Sequence, residues 1–464
     1  MKRWGAVAAG LVLLALFVAA DKTGGCEQFN RMGISPDGNC IAFSLNGKGG
    51  FRVDGTTALY KLDLTDCHLT RVSADKPLAT WADISDAGDI LFTWRSKETG
   101  DCTEVAIARV NGEVEELTRN LISDSVPQWL DREGVLFAST RPLAAVGGEG
   151  GRDEYDVVLS IAKGADVKEV VHEVYAPDTQ NRAYWSSLPV WTGNQLAYAA
   201  VDLVKEEGGD KVKAMTCRFY LVDLESKARR EVTSVTFDAK PDSDGPPVSY
   251  VDLAFSPDRK KLAACFLPKD FEKDQEVSHL YVIDLATAKA ELVKEDVNMY
   301  YPRFAPEGPA RLLYLSGTGE EGNARSLNLL NLDTKEARKI ISLPGVIMTA
   351  YTDWRWLSEL SDADEKTPKN RLRVYHLSDI GLIVAELNDD GSDLSIRYLD
   401  ASRLRVAQVE ADLRWAQSLA EGAAAQVEAA EKAQADARKL VSGPVEFLRV
   451  DTVPQPAVRE GKSE

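Results

Sequence analysis

The 464-residue sequence predicts an all-β fold of seven repeated units followed by one long α-helix, and three observations carry that prediction. The first is a short strand phrase that returns seven times, as Leu59–Leu64, Val105–Val110, Val157–Ala162, Phe219–Leu224, Leu280–Leu285, Leu327–Leu332 and Leu394–Leu399. A phrase at roughly 50–70-residue spacing marks one supersecondary unit per copy. The second is a turn upstream of each copy, clearest as Ser35-Pro36-Asp37-Gly38 and Ser256-Pro257-Asp258. Pro, Asp and Gly preset the backbone for a tight reversal, so each turn joins two strands. The third is a change of apolar period after the last phrase, from two to about three and a half.

Taken in chain order, residues 1–20 open with Met1-Lys2-Arg3, run uncharged from Trp4 and end at Val18-Ala19-Ala20. That is the pattern of a cleaved signal peptide, and the run is shorter than the roughly 20 apolar residues a membrane span needs. An uncleaved anchor, or a lipid carried on Cys26, are the alternatives. Residues 21–29 form a short linker before the repeats.

Residues 30–409 hold the repeats. In each, two strands meet at the turn, the recurring phrase is a third, and a short run such as Ala290–Val293 or Arg338–Ile341 is a fourth. Four strands make one propeller blade, giving a seven-bladed β-propeller. The long linkers around 172–184, 234–249 and 346–370 also accommodate six or eight blades. Along the innermost strands, alternate positions are apolar or aromatic: Ile34/Met32, Ile84/Ala82, Trp129/Pro127, Trp191/Pro189, Phe255/Leu253, Phe304/Pro302 and Leu377/Tyr375. This period-two face assigns most Trp and Phe to the core between blades.

Residues 410–441 are rich in Ala, Glu, Gln and Arg, with no Pro and one Gly, a helix-forming composition. Leu413, Ala416, Ala420, Ala423, Val427, Ala430 and Ala437 recur on one face, and Ser442-Gly443-Pro444 stops the run. One helix of this length would reach about 48 Å. It either lies across the propeller or pairs weakly with a second copy or a partner, since Ala side chains bury little area each. Residues 442–464 form a polar tail in which Val445–Val450 reads as a short strand, either within the tail or closing a blade.

The turns and phrases together resemble the TolB-type, WD40-like propeller repeat, over about residues 30–409. The resemblance implies the fold; its members include periplasmic interaction proteins, propeller halves of serine peptidases and a few lyases, so it does not choose a function.

Charge and cysteines bound the partners. The formal charge is −18, and losing Lys2 and Arg3 with a signal peptide would make the chain more acidic still. Such a chain repels nucleic acid and anionic lipid. Six cysteines, at 26, 40, 67, 102, 217 and 265, permit disulfides in an exported protein but fix no pairing; Cys40 and Cys265 fall on second strands where a buried thiol is equally ordinary.

Motifs for chemistry are sparse. There is no Gly-x-Ser-x-Gly elbow, no His-Glu-x-x-His and no Walker loop, and Asn46–Gly50 reads as a hairpin turn. The acidic loops Asp242–Gly245, Asp362–Glu365 and Asn388–Asp393 lack the spacing of a calcium loop and read as solvated turns. No catalytic, cofactor or metal residue is assigned, and no cofactor is expected, with a metal ion at the acidic loops kept as the minority alternative. The candidate binding residues lie on the other face of the innermost strands: Arg31, Asp83, Gln128, Asp252, Arg303 and His376, which would line the central channel. Polar groups there must be paired or wet, so a structural network competes with a ligand site. His68, His172 and His279 show no joint spacing with His376.

These features lead to a periplasmic or secreted, non-enzymatic propeller scaffold that meets another envelope protein, without membrane insertion once the signal is cleaved. The alternatives are a carbohydrate-active lyase or hydrolase sited in the channel, or a propeller that binds a small ligand there.

Overall fold

The computed structural model describes residues 28–46, 58–65, 68–73, 80–96, 102–120, 123–130, 134–142, 155–163, 166–175, 184–185, 189–205, 212–238, 248–268, 277–297, 299–305, 308–317, 326–342, 372–377, 381–387, 394–418, 424–441 and 448–452. They form an all-β propeller with a C-terminal helix pair, consistent with the TolB-type repeat read in the sequence. The expected signal peptide and linker up to residue 27, Cys26, Cys67, the turn beyond Asn46 and the three acidic loops lie outside the described residues.

Among the described residues, seven antiparallel sheets follow one another along the chain. Sheet 1 holds β1 (Gln28–Ile34), β2 (Cys40–Asn46), β3 (Ala58–Asp63) and β4 (Leu69–Ser73). Sheet 2 follows with β5 (Thr80–Ile84), β6 (Ile90–Ser96), β7 (Cys102–Ala108) and β8 (Val114–Glu116). β9 (Ser123–Trp129), β10 (Gly134–Pro142), β11 (Tyr155–Lys163) and β12 (Asp166–Tyr175) make sheet 3. In sheet 4 the first strand is split into β13 (Tyr184–Trp185) and β14 (Val190–Thr192). Both pair with β15 (Gln195–Lys205), ahead of β16 (Val212–Asp223) and β17 (Arg229–Asp238). Sheet 5 comprises β18 (Val248–Phe255), β19 (Lys261–Pro268), β20 (Val277–Asp284) and β21 (Ala290–Val297). Sheet 6 has β22 (Tyr300–Phe304), β23 (Arg311–Ser316), β24 (Ser326–Asn331) and β25 (Ala337–Ser342). β26 (Leu372–Leu377), β27 (Gly381–Leu387) and β28 (Leu394–Asp400) begin sheet 7. Its fourth strand, β29 (Leu448–Thr452), arrives only after two helices, α1 (Ala401–Ser418) and α2 (Ala424–Arg438).

Innermost strands of successive sheets lie side by side: β1 with β5, β5 with β9, β14 with β18, and β18 with β22. The series continues with β22 beside β26, and β26 returns to β1. The apolar face read from the sequence packs into the seams. Trp129 and Val135 of sheet 3 share a core with Leu91, Val105 and Ile107 of sheet 2. Phe304 and Leu312 of sheet 6 meet Ala263, Leu280 and Val282 of sheet 5.

The repeated turns have a common construction. Ser35 Oγ donates to Asp37 Oδ1 at 2.5 Å and accepts from the Cys40 amide at 2.9 Å. Ser256 Oγ does the same with Asp258 (2.7 Å) and the Lys261 amide (2.9 Å). Gly38 sits at φ 74°, whereas the drifted copy places Arg259 at φ 61°, a left-handed position that Gly occupies without strain. The acid in the recurring phrase caps the next turn: Asp284 Oδ1 accepts from the Thr287 amide and hydroxyl, both at 2.8 Å, and Asp223 likewise takes Ser226.

Two expectations are corrected. The single helix expected at 410–441 is a pair that starts at Ala401, because Asp400 caps it by accepting the Arg403 amide at 2.8 Å, three residues into the helix. The propeller does not end at 409: β28 passes directly into α1, and β29 pairs with β28 to complete sheet 7, so the helix pair is an insertion between the third and fourth strands of that sheet. Among the described residues, no helix is long and apolar enough to cross a membrane.

Candidate functional site

The six expected channel residues all fall on innermost strands. Arg31 lies on β1 and His376 on β26, and their side chains lie outside the described residues. The other four reach across seams to backbone groups. Asp83 Oδ2 accepts the Trp129 amide of sheet 3 at 3.0 Å, while its Oδ1 takes its own neighbour, the Ile84 amide, at 3.1 Å. Gln128 Nε2 donates to the Pro189 carbonyl, at the threshold of sheet 4, at 3.2 Å. Asp252 Oδ2 accepts the Tyr301 amide of sheet 6 at 2.8 Å, and Arg303 Nη1 reaches back to the Leu253 carbonyl at 3.4 Å and to the Pro302 carbonyl at 2.7 Å.

A bulge accounts for one of these contacts, that of Asp252 with the Tyr301 amide. β1, β5, β9 and β22 each carry a register shift three to five residues back from the turn, while the shift in β18 lies at its start, between Val248 and Tyr250. A bulge leaves an amide outside the ladder, and a buried amide must find an acceptor. Tyr301 is the sharpest case, buried and at φ 51°, a conformation that a bulky side chain rarely adopts. The Asp252 carboxylate holds its amide in that position.

Sequence reasoning missed a second polar cluster, in the seam between sheets 2 and 3. Glu104 on β7 is fully buried; Thr118 Oγ1 donates to its Oε2 at 2.9 Å and the Asn120 amide to its Oε1 at 3.0 Å. Asn120 Nδ2 donates onward to Asp124 Oδ2 at 3.1 Å, and Ser139 Oγ to Asp124 Oδ1 at 2.5 Å. Isolated acids in strands carry no periodic signal, so nothing in the sequence pattern singles them out.

The helix pair forms a third feature. α1 buries Leu404, Ala407 and Ala411 against Leu382 and Leu399 of sheet 7 and Leu327, Leu329 and Ile340 of sheet 6. Asp412 on α1 accepts hydrogen bonds from Arg311 and from Arg338 Nη1, the latter at 2.6 Å. The Arg338 guanidinium also lies 3.6 Å from the centre of the Trp415 ring. α2 packs on α1 through Val406, Val409, Ala437 and Val441 and through the Glu410–Arg438 ion pair. Elsewhere on α2, Glu428, Ala429, Glu431 and Lys432 are exposed, and Leu440, just beyond it, is 64% exposed.

Cys40, Cys217 and Cys265 are buried and form no disulfide. Burial pushes the Cys265 thiol well above its ordinary pKa, and its Sγ donates to the Met299 carbonyl at 3.4 Å. The Cys102 side chain lies outside the described residues. Among the described residues, no three His, Cys, Asp or Glu side chains are grouped so as to hold a metal ion.

No protein-family model and no curated protein matches the chain. Solved structures do. An oligogalacturonate lyase in complex with manganese is 11% identical over 81% of this chain and 90% of its own, with a TM-score of 0.47. The β-propeller domain of the trilobed protease from Pyrococcus furiosus is 11% identical over 80% and 96%, with a TM-score of 0.45. TolB from Acinetobacter baumannii is 9% identical over 73% and 76%, with a TM-score of 0.33. Each TM-score is below 0.5 and each identity below 25%, so these likenesses carry no argument about what the chain does.

Proposed function

We propose that this chain is an exported, non-enzymatic β-propeller scaffold that mediates protein–protein contact in the cell envelope, with the α1–α2 hairpin as its partner-facing element. The seven sheets act, on this reading, as seven blades of one closed ring. The observation that carries the proposal is where the hairpin sits. It is set into the last sheet, anchored by a buried α1, and it turns α2 and Leu440 outward. An appendage held by a buried helix and two arginines costs little further ordering when a partner binds, which favours recognition. The polar groups of the innermost strands support the same reading. Asp83, Gln128, Asp252 and Arg303 bond to backbone across the seams, which is structural work.

The test is a cross-linked pull-down from an envelope extract, using the intact mature chain and the surface variant A429R/L440E, which leaves α1 and β29 untouched. A partner held by the intact chain and lost from the variant is the expected result. A partner held equally by both would move the contact to the ring and overturn the role of the hairpin. A folded bait that captures nothing would overturn the scaffold reading.

A further inference from the structure

We propose that the turn side of sheets 4, 5 and 6 is a docking surface for an acidic, extended peptide segment of the partner protein, an assignment that rests on the scaffold role and adds the chemistry of what is held. In a four-stranded antiparallel sheet, the connection between the first two strands and the connection between the last two fall on the same side. Both tight turns of a sheet therefore project together. In sheets 1 and 2 the left-handed position of these turns is glycine: Gly38 at φ 74°, Gly88 at φ 83° and Gly112 at φ 90°. Arg259 takes that place in sheet 5 at φ 61°; its amide donates to the Ser256 carbonyl as those of Gly38 and Gly88 donate to Ser35 and Ser85. Lys227 of sheet 4 (φ 58°) and Lys335 of sheet 6 (φ 61°) lie in the same connection as Gly112. A side chain is strained in this conformation and glycine is not. All three cations are exposed, so packing does not account for the strain, and strain kept at such a position points to a role outside the fold.

The three sheets join on this side. Arg259 lies against Gly193 in the β14–β15 turn of sheet 4, so closely that a side chain at Gly193 would collide with its guanidinium. Arg230 of sheet 4 donates to the Leu285 carbonyl of sheet 5 at 3.2 Å. Lys335 of sheet 6 pairs with Glu291 of sheet 5 at 2.9 Å. The turn that holds Lys335 leads into β25, whose Arg338 bonds to Asp412 of α1. The cations thus run up to the foot of the helical hairpin.

The acids of these turns are largely engaged. Asp223, Asp258 and Asp284 bond to Ser226, Ser256 and Thr287 of their own turns. Glu231, Glu291 and Glu336 pair with Arg218, Lys335 and Arg338. Glu225 and Asp333 are the exposed acids that remain among the described turn residues. Against them, the side chains of Lys227 and Arg259 make no hydrogen bond or ion pair with any described residue. Lys260 and Lys289 add charge beside Asp258 and Glu291. The chain as a whole carries −18, but charges more than about 10 Å away are largely screened at 0.1 M salt, so a thin peptide meets the local surplus. A membrane is wide enough to meet the acidic whole, which favours a peptide over an anionic lipid surface.

The experiment uses the full mature chain and fluorescence anisotropy. The probe is a labelled oligoglutamate of about ten residues, about 33 Å when extended. An oligolysine of the same length and phosphatidylglycerol vesicles are the comparisons. Saturable binding of oligoglutamate is expected, weakened at least tenfold in K227G/R259G and less than threefold in K163A/K168A, which removes two exposed cations of sheet 3. Glycine relieves the strain at both positions, so K227G/R259G should melt no lower than wild type. K227Q/R259Q, which removes the charges and keeps long side chains, should lose as much binding. Absence of saturable binding to wild type, binding unchanged in both double variants of Lys227 and Arg259, or oligolysine bound as tightly as oligoglutamate would overturn the proposal. Vesicles bound without oligoglutamate would also overturn it, replacing the peptide by a membrane. The hairpin is unaltered in every variant, so a failure here is distinct from a failure of the A429R/L440E test.

Discussion

Replacing Asp412 by Ala should release the helical hairpin from the ring while leaving the ring folded. Asp412 is 19% exposed and is shared by Arg311 and Arg338, whose side chains are 23% and 14% exposed. Breaking a fully buried pair by removing one partner costs about 3–5 kcal/mol. These groups keep some water contact, which moves the cost to about 2–3 kcal/mol, within the range of charged hydrogen bonds. Asn at the same position keeps one acceptor oxygen for one arginine, so D412N should cost about 1 kcal/mol. The loss falls on α1, since Asp412 makes its bonds from there. Native-state hydrogen exchange reads such local opening directly. A loss of 2–3 kcal/mol corresponds to about 30- to 150-fold faster exchange for amides between Leu404 and Ala416, at about 1.4 kcal/mol per tenfold. Exchange in α1 that stays within threefold of wild type would refute the docking argument. So would equal acceleration in all the sheets, because the effect would then be global.

Three further outcomes follow from the same geometry. D252A removes the acceptor of the Tyr301 amide and should destabilise the fold by about 2 kcal/mol, with D252N much milder, as read by urea unfolding; equal effects of the two would contradict the seam bond. Acid should weaken the protein through its turns, because Asp37 and Asp258 are held below the usual carboxylate range chiefly by their Ser35 and Ser256 hydroxyls, and Asp223 and Asp284 chiefly by backbone amides of Ser226 and Thr287. A depressed folded pKa gives stability that is present above the unfolded value near 3.9 and lost as pH falls through the folded one. The urea midpoint should therefore drop between about pH 5 and pH 3, less steeply in S35A/S256A than in wild type. Cys40 and Cys265, whose thiols burial pushes to higher pKa, and the buried Cys217 should resist alkylation in the native protein and react once it is unfolded, as mass spectrometry would show.

What the sequence disclosed follows from what repeats. Turn residues such as Ser35, Asp37 and Asp258, and the phrase acids Asp223 and Asp284, recur because each repeat needs the same reversal, so a period exposes them. The alternate apolar positions ending in Trp129 and Phe304 were legible because a seam demands the same face every time. The helix boundary was less so. The apolar residues Leu404, Val406 and Val409 belong to helix faces that pack on the ring and on α2, and they directly follow strand β28 without a breaker. The single Gly422 falls between the two helices, too weak a signal alone to split them. Asp83 and Asp252 form bonds that reach across a seam from one sheet to the next, which no local pattern reveals.

The most direct test of the scaffold account is site-specific photo-cross-linking in living cells, with the probe at Glu431 on the exposed face of α2 and a control at Lys168 on β12 of sheet 3. The account predicts a single adduct with another envelope protein from position 431 and none from position 168. No adduct at 431, or the same adducts from both positions, would contradict it.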